Sequence, residues 1–405
     1  MRIHTVKDGE NTRDIAEKYG IDETILCLAN EIEAGARLSP GEQLLVLTPT
    51  RTYTAREGDT LLRVSLRFGQ TVSELKGLNP HITGDELKSG QIVIVKYDER
   101  PYGMGAANGI FYRGCPIWKL QRAMPYLTYI TVGSGVFDGS RCYEGFDGRD
   151  IVKVAMDNGK MPLVRVYDKS DGSHYHNKQK RLDYISSLID MATAAGYKGI
   201  ALGYNSHCRG EAYEEFLVEL RGRMIGSDLI LISEVMADSD SSVSDYSDGA
   251  ILSVDKCADM DSCGESFDEW ERGLLTDYAD NSESTKTFIE LPVFANSEGG
   301  DFLEIMDATD MARRNHATTT FDKNSLISSF QDKRCGSIIY NSLSGIKKRM
   351  DIMSELGYMG ISFDIARCPL SYLLMYDSLF KSVGYANVDK KVRCNPDAQE
   401  NEFAK

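Results

Sequence analysis

No stretch of the 405 residues approaches the about 18 uninterrupted apolar residues that a transmembrane helix requires, so no membrane span is expected. The opening Met1-Arg2-Ile3-His4-Thr5-Val6-Lys7-Asp8-Gly9 lacks the apolar core of a secretory signal, and a chain made in the cytoplasm without one is expected. A basic tract is also missing. Lys plus Arg number 46 against 61 Asp plus Glu, a net charge of −15. Nothing offsets phosphate charge, so the chain is a poor candidate for nucleic acid or anionic membrane surfaces, and no nucleic-acid partner is expected. The nine cysteines (Cys27, Cys115, Cys142, Cys208, Cys257, Cys263, Cys335, Cys368 and Cys394) are odd in number and scattered, and read as reduced intracellular thiols. Cys257 and Cys263 are the closest pair, but without a partnering His or a second pair they define no metal site. No metal and no cofactor is expected.

What is present is ordinary for a globular chain: 42% hydrophobic and 26% charged residues. Collagen-like, disordered and low-complexity classes are excluded, and the length allows roughly two to four domains.

The first hundred residues repeat themselves. Gly9 matches Gly58, Tyr19-Gly20 matches Phe68-Gly69, Leu26 matches Leu75, Asn30 matches Asn79, Leu38 matches Leu87 and Gly41 matches Gly90, every pair 49 positions apart. Such a repeat is one compact unit used twice. Each copy reads as a strand (3–6 or 52–55), a turn at Asp8-Gly9 or Glu57-Gly58, and a helix from the N-cap types Asn11 or Asp59-Thr60. A second short helix ends before Asn30 or Asn79, and a last strand covers 43–47 or 91–95. This is a βααβ unit.

The run Tyr53-Thr54-Ala55-Arg56-Glu57-Gly58-Asp59-Thr60-Leu61, then Leu78-Asn79-Pro80, then Leu87-Lys88-Ser89-Gly90-Gln91 resembles a LysM module. The first copy is the weaker match, with Gly9-Glu10-Asn11 in place of Gly-Asp-Thr. The resemblance implies binding of N-acetylglucosamine polymers: peptidoglycan, chitin or their fragments. It places the groove at Gly58, Asp59, Thr60, Asn79, Pro80, His81 and Ile82, and in the first copy at Gly9, Glu10, Asn11, Asn30, Glu31 and Ile32. Loops of Gly and Asn offer backbone and amide partners to an N-acetyl group; the same residue types also make turns and caps.

From about residue 106 to 387, short apolar strands alternate with amphipathic helices. Strands are expected at 109–112, 129–133, 161–166, 199–202, 229–233, 249–254, 287–292 and 360–363. Eight β-α units argue for a (β/α)8 TIM barrel, so the fold class is α/β with two small βααβ domains in front. Candidate site residues belong at the C-terminal strand ends. The domains expected are 1–48, 51–97, 106–387 and a polar tail at 388–405.

Pro125-Tyr126-Leu127-Thr128-Tyr129-Ile130, Ala195-Gly196-Tyr197-Lys198-Gly199-Ile200, Thr287-Phe288-Ile289-Glu290-Leu291-Pro292-Val293 and Leu356-Gly357-Tyr358-Met359-Gly360-Ile361-Ser362 resemble glycoside hydrolase family 18. With two LysM-like units ahead of it, the whole chain is similar to the cortex-fragment N-acetylglucosaminidases of bacterial endospores. The resemblance implies synthesis in the mother cell and association with the spore coat, cortex or cell wall. It also implies a D-x-x-D-x-D-x-E motif on the fourth strand, whose Glu is the general acid of a substrate-assisted reaction. Here the four acidic positions are Lys198, Ala201, Gly203 and Asn205. An amide has no proton to give a leaving alkoxide, and loss of a general acid typically removes about 10²–10⁴ in rate. The family's sixth-strand Tyr and last-strand Trp are also gone, replaced at Leu252-Ser253-Val254-Asp255 and at Asp364.

These residues point to a barrel without its catalytic apparatus, a scaffold or binding surface on a peptidoglycan-binding chain. Two alternatives stay open. One is a live N-acetylglucosaminidase using relocated carboxylates among Glu234, Asp255, Glu290 and Asp364, against which Glu290 would instead pair with a cation such as Lys198. The other is a spore-coat assembly protein that binds protein partners. His174-Tyr175-His176 reads as a surface loop. Within 295–341 the family's wall-forming insertion is expected in shortened form, with a helix at 307–315 and a strand at 337–341.

Overall fold

The computed structural model describes residues 1–97, 102–205, 207–237, 246–254 and 267–382. Asp255, the Cys257–Cys263 pair and the 388–405 tail lie outside them.

The 49-residue repeat folds twice into the same unit. The first copy runs β1 (Arg2–Thr5), α1 (Thr12–Tyr19), α2 (Glu23–Ala29) and β2 (Gln43–Val46), and the second β3 (Arg51–Thr54), α3 (Leu61–Phe68), α4 (Val72–Leu78) and β4 (Ile92–Lys96). In each, the outer strands pair antiparallel. Side-chain caps fix where the helices begin. Asn11 and Asp14 form a capping box on α1, Thr71 and Glu74 do so on α4, and Thr60 caps α3. The cores are matched as well: Ile15, Leu26, Leu38 and Leu44 in one copy, Val64, Leu75, Leu87 and Val93 in the other.

The remainder closes into a barrel. Its elements are β5 (Met104–Phe111), α5 (Ile117–Ala123), β6 (Tyr129–Phe137), β7 (Cys142–Glu144), α6 (Arg149–Asp157), β8 (Met161–Asp168), α7 (Lys178–Ala195), β9 (Gly199–Leu202), α8 (Glu211–Met224), β10 (Ile230–Met236), β11 (Gly249–Ser253), α9 (Phe267–Asn281) and β12 (Thr287–Glu290). An insertion follows, with β13 (Phe294–Ser297), β14 (Phe302–Glu304), α10 (Ile305–Arg314), β15 (Thr320–Asp322), β16 (Ile327–Asp332) and β17 (Gly336–Asn341). The chain ends in α11 (Leu343–Glu355), β18 (Gly360–Asp364), α12 (Leu370–Leu379) and β19 (Lys381–Ser382). Parallel pairing runs β5-β6-β8-β9-β10-β11-β12-β18 and returns from β18 to β5. Eight strands close the ring. Ala106, Tyr129, Met161, Leu163, Ala201, Ile232, Ile251 and Phe288 fill one end of its interior.

Two features differ from the sequence reading. β5 starts at Met104 rather than 109, because β19 pairs with its first residues. The insertion holds a five-stranded antiparallel sheet, β14-β13-β17-β16-β15, where one helix and one strand were expected. Its short strands alternate polar and apolar residues too briefly to register as a period.

Both small units are seated on the barrel. Leu45, Leu47, Ile94 and Tyr97 share one apolar cluster with Leu120, Met124, Tyr126 and Met375. Tyr126 donates to the Gly77 carbonyl at 2.7 Å. Glu42 receives Arg313 Nη2 at 2.5 Å, and Thr319 N–H donates to Pro40 O at 2.8 Å. Gly41 takes φ +85°, and a Cβ there would lie 1.7 Å from the Thr319 carbonyl oxygen, so only glycine permits this seat.

Candidate functional site

The four positions that the family resemblance aligned with an acidic motif lie along β9 and the loop after it. Lys198 precedes β9, its N–H donating to Pro162 O at 2.8 Å, at the opposite end of the barrel from Glu290, which closes β12. The expected Lys198–Glu290 pairing is therefore ruled out by strand polarity. Ala201 is fully buried in the barrel interior. Gly203 and Asn205 follow at the C-terminal end. Asn205 folds back on its own loop: Oδ1 accepts His207 N–H at 2.8 Å and its carbonyl accepts Cys208 N–H at 3.1 Å. Its Nδ2 is buried without an acceptor among the described residues.

The centre of the barrel mouth is occupied by a pair that the sequence did not disclose. Leu163 and Ile232 point into the barrel; two residues on, on the same strand faces, stand Arg165 and Glu234. β8 and β10 flank β9, so the two side chains meet across it. The Arg165 guanidinium donates Nε to Glu234 Oε1 and Nη2 to Oε2, a bidentate ion pair. Nη1 donates to Tyr112 Oη at 2.7 Å and also to Tyr167 Oη. Burial works against the guanidinium charge, but the Glu234 carboxylate more than offsets it and holds Arg165 above its ordinary value. Glu234 Oε2 lies 3.7 Å from where a Cβ on Gly203 would be, and Val166 O lies 3.0 Å from it. The carboxylate thus stands in the space beside Gly203.

Beside this plug, a cavity of about 720 Å³ opens between the ends of β5, β11, β12 and β18. Glu290 and Asp364 line it together with Tyr112, Lys119, Phe294 and Glu304. Burial pushes the Asp364 carboxyl above its usual range, although Ala366 N–H donates to it at 2.8 Å and Arg367 stands 3.6 Å away. Burial also pushes the neighbouring Cys115 thiol up to about 11.

His174 and Tyr175 are not on the surface as expected. A short turn, Ser173–His176, aims both inward, leaving them 2% and 3% exposed among Phe137, Tyr184, Tyr213 and Phe216. Only His176 faces solvent.

In the repeats, one carboxylate closes each first loop. Asp59 Oδ2 accepts Tyr53 Oη at 2.6 Å and Arg56 N–H at 2.8 Å. At the matching positions Glu10 Oε2 receives His4 Nε2 and Lys7 N–H, both at 2.8 Å. The weaker-matching copy thus keeps its loop geometry with a longer acid and a different partner. Thr60 accepts Arg63 N–H, and Asn11 caps α1. Gly9 and Gly58 are exposed, and Pro80 and His81 half-buried. Burial lowers the His81 pKa.

Five predicted positions serve the fold. Asn79 Nδ2 donates to Leu75 O at 2.8 Å and Ile94 O at 2.7 Å, and its Oδ1 accepts Ile94 N–H at 2.7 Å. Asn30 repeats this with Leu26 O, Leu45 O and Leu45 N–H. Both side chains are buried, as are Ile32 and Ile82 in the module cores. Glu31 turns away to the barrel, accepting Arg122 and, at 2.8 Å, Leu370 N–H. Of the positions that the resemblance assigned to a groove, Gly58, Asp59, Thr60, Pro80 and His81, with Gly9, Glu10 and Asn11, remain exposed or half-buried.

The LysM domain family profile matches residues 4–46 and 53–96. The first hundred residues are two LysM domains. Over the whole chain, the fold is similar to the spore cortex-lytic enzyme SleL of Bacillus megaterium QM B1551, with a TM-score of 0.73 at 15% identity over 94% of this chain and 98% of that one. The barrel alone also resembles a chitinase of Chromobacterium violaceum, with a TM-score of 0.60 at 13% identity over 68% of this chain and 98% of that one. At such identities these likenesses establish the fold only. Among curated proteins, the candidate sporulation-specific glycosylase YdhD of Bacillus subtilis is 19% identical over 256 residues, 60% of each chain. The cell wall-binding protein YocH of the same organism is 31% identical over 96 residues, 23% of this chain and 33% of that protein. The chain therefore spans less than two thirds of either relative. The molecule consists of two LysM domains docked on a (β/α)8 barrel.

Proposed function

We propose that the chain is a non-hydrolytic peptidoglycan-binding protein. Its LysM domains hold N-acetylglucosamine-containing strands, and its barrel serves as a scaffold or binding surface at the spore or cell wall. The observation that carries this reading is the Arg165–Glu234 pair seated beside Gly203, with Asn205 where a general acid is required. Both oxygens of the Glu234 carboxylate are engaged by the Arg165 guanidinium, so the group is held in a structural pair and not presented to a departing sugar oxygen. The wall- and cortex-related names of YocH and SleL support the same setting. Two LysM domains on one polymer gain by linkage, since the second contact is intramolecular.

The test is to incubate the full chain with digested cortex and with N-acetylglucosamine oligomers while measuring new reducing ends and co-sedimentation with peptidoglycan. Pelleting without reducing ends above the blank is expected. Turnover at an enzymatic pace would overturn the barrel assignment, and absence of pelleting the binding one.

Asp364 favours a second reading, a glycosidase with relocated carboxylates, because burial favours its protonated form beside the cavity. Under it, turnover disappears in Asp364→Asn or Glu290→Gln. As a scaffold, the barrel would take spore-coat proteins as partners, and a pull-down that survives excess chitooligosaccharide would identify them.

A further inference from the structure

We infer that Trp118 is a stacking platform joining the first LysM domain to the barrel-mouth cavity, so that the two form one track for a β-linked N-acetylhexosamine chain. The inference rests on the glycan-binding reading above and names the surface that carries it.

Trp118 is one of two tryptophans in the chain and is 53% exposed on α5, next to Ile117 at 47%. An exposed large apolar pair of this kind marks an interaction site more often than a scattered surface residue does. Its position is specific. On one side, the Arg122 guanidinium lies 5.2 Å from the Trp118 ring and pairs with Glu31, in the loop that follows α2 of the first LysM domain. On the other, Lys119 Nζ lies 5.8 Å from the ring, lines the cavity and holds Glu304 at 3.0 Å. Two residues before Glu304 on β14 stands Phe302, 65% exposed and edge-on to the cavity-lining Phe294 at 5.4 Å. The series runs from the LysM loop across α5 to the cavity edge.

The chemistry fits an amino-sugar chain. A pyranose ring offers an apolar C–H face to an aromatic plane, and its hydroxyl and acetamido groups need donors and acceptors at the rim. Trp118 and Phe302 supply the planes; Lys119, which lines the cavity, and the half-exposed Glu304 supply the rim. An uncharged ligand also meets no repulsion from an acidic protein. The track lies on the outer face of α5, apart from the plugged centre at Arg165–Glu234, so it needs no catalytic group.

The experiment compares the full-length wild type with Trp118→Ala by calorimetric titration of chitotriose and chitohexaose. A trisaccharide occupies one groove, whereas a hexasaccharide reaches onto α5. The expected result is unchanged trimer affinity and an about 3- to 10-fold loss for the hexamer, the scale of one aromatic contact. Trp118→Phe is expected to recover part of that loss. Because the side chain is exposed, the thermal melt of both variants should match the wild type. Equal hexamer binding by wild type and Trp118→Ala refutes the track while leaving the LysM reading intact. An equal loss for both oligomers also refutes it, since Trp118 would then belong to a single site. A wild type that binds neither oligomer removes both readings together.

Discussion

Glu234→Gln is the sharpest perturbation of the barrel mouth. In the wild type the Glu234 and Arg165 side chains are 9% and 15% exposed, and the carboxylate takes both ends of the guanidinium. The glutamine keeps the shape but leaves a buried cation whose hydrogen-bond acceptors among the described contacts are neutral: an amide oxygen, Tyr112 and Tyr167. Breaking a buried pair by removing one partner costs about 3–5 kcal/mol, because the remaining charge stays desolvated. The retained amide oxygen and two phenols argue for the lower end. At about 2–4 °C per kcal/mol for a domain of this order, the melting temperature should fall by roughly 6–12 °C. Replacing both residues by apolar ones of similar volume should recover most of that, since no charge is left stranded. The assay is thermal unfolding followed by circular dichroism for the wild type, Glu234→Gln, Arg165→Met and the double variant Arg165→Met/Glu234→Leu. A Glu234→Gln melt within about 1 °C of wild type, or a double variant as damaged as the single, would refute the idea that this pair plugs the barrel.

Restoring the acid alone, Asn205→Glu, should give no new reducing ends from N-acetylglucosamine oligomers, because Gly203 still lacks its carboxylate and Glu234 remains bound to Arg165. Asn79→Ala removes three buried hydrogen bonds and should cost about 3 kcal/mol at roughly 1 kcal/mol each, read as a lower urea midpoint of the full chain; Asn30→Ala should cost about the same. Acidification should loosen the LysM domains. Hydrogen bonds from Tyr53 and the Arg56 N–H lower the Asp59 pKa. Glu10 is lowered as well: burial raises it, but the Lys7 N–H and His4 bonds outweigh that. A carboxyl with a folded pKa below its unfolded one stabilises above about pH 4, and that contribution is lost as pH falls through the folded value. The urea midpoint should therefore drop below about pH 4, and less steeply in Asp59→Asn; equal slopes would exclude this carboxylate as the cause.

The parts of this molecule that were legible from sequence are those fixed by local chemistry. The LysM units could be read because capping residues, turn glycines and apolar positions recur at one spacing. The barrel strands could be read because each is a short apolar run between helices. Arg165 was not legible. It sits in a run that reads as buried strand, and its meaning depends on Glu234, which reaches it only across β9. Asn30 and Asn79 show the converse limit. Their recurrence is visible, but a polar residue at a helix end serves a ligand or the backbone equally well until burial is known. In these domains the carboxamide bolts a helix to the last strand. The insertion sheet was missed because strands as short as Thr320–Asp322 carry too few residues for a period. Its contribution to docking the first LysM domain through Arg313 and Thr319 is non-local.

The changes along β9 also make sense together as electrostatics. A strand carrying four acids at the mouth of a barrel keeps like charges close in a poorly solvated space, which raises pKa values and stores repulsion useful only to a catalyst. Here Lys198, Ala201, Gly203 and Asn205 contribute no negative charge, and the carboxylate beside Gly203, Glu234, is paired with Arg165. Relieving such a site trades function for stability. On the proposed non-hydrolytic reading nothing is lost in that exchange, and LysM domains joined to the barrel core through Leu45, Leu47, Ile94 and Tyr97 would hold a wall polymer on a rigid support.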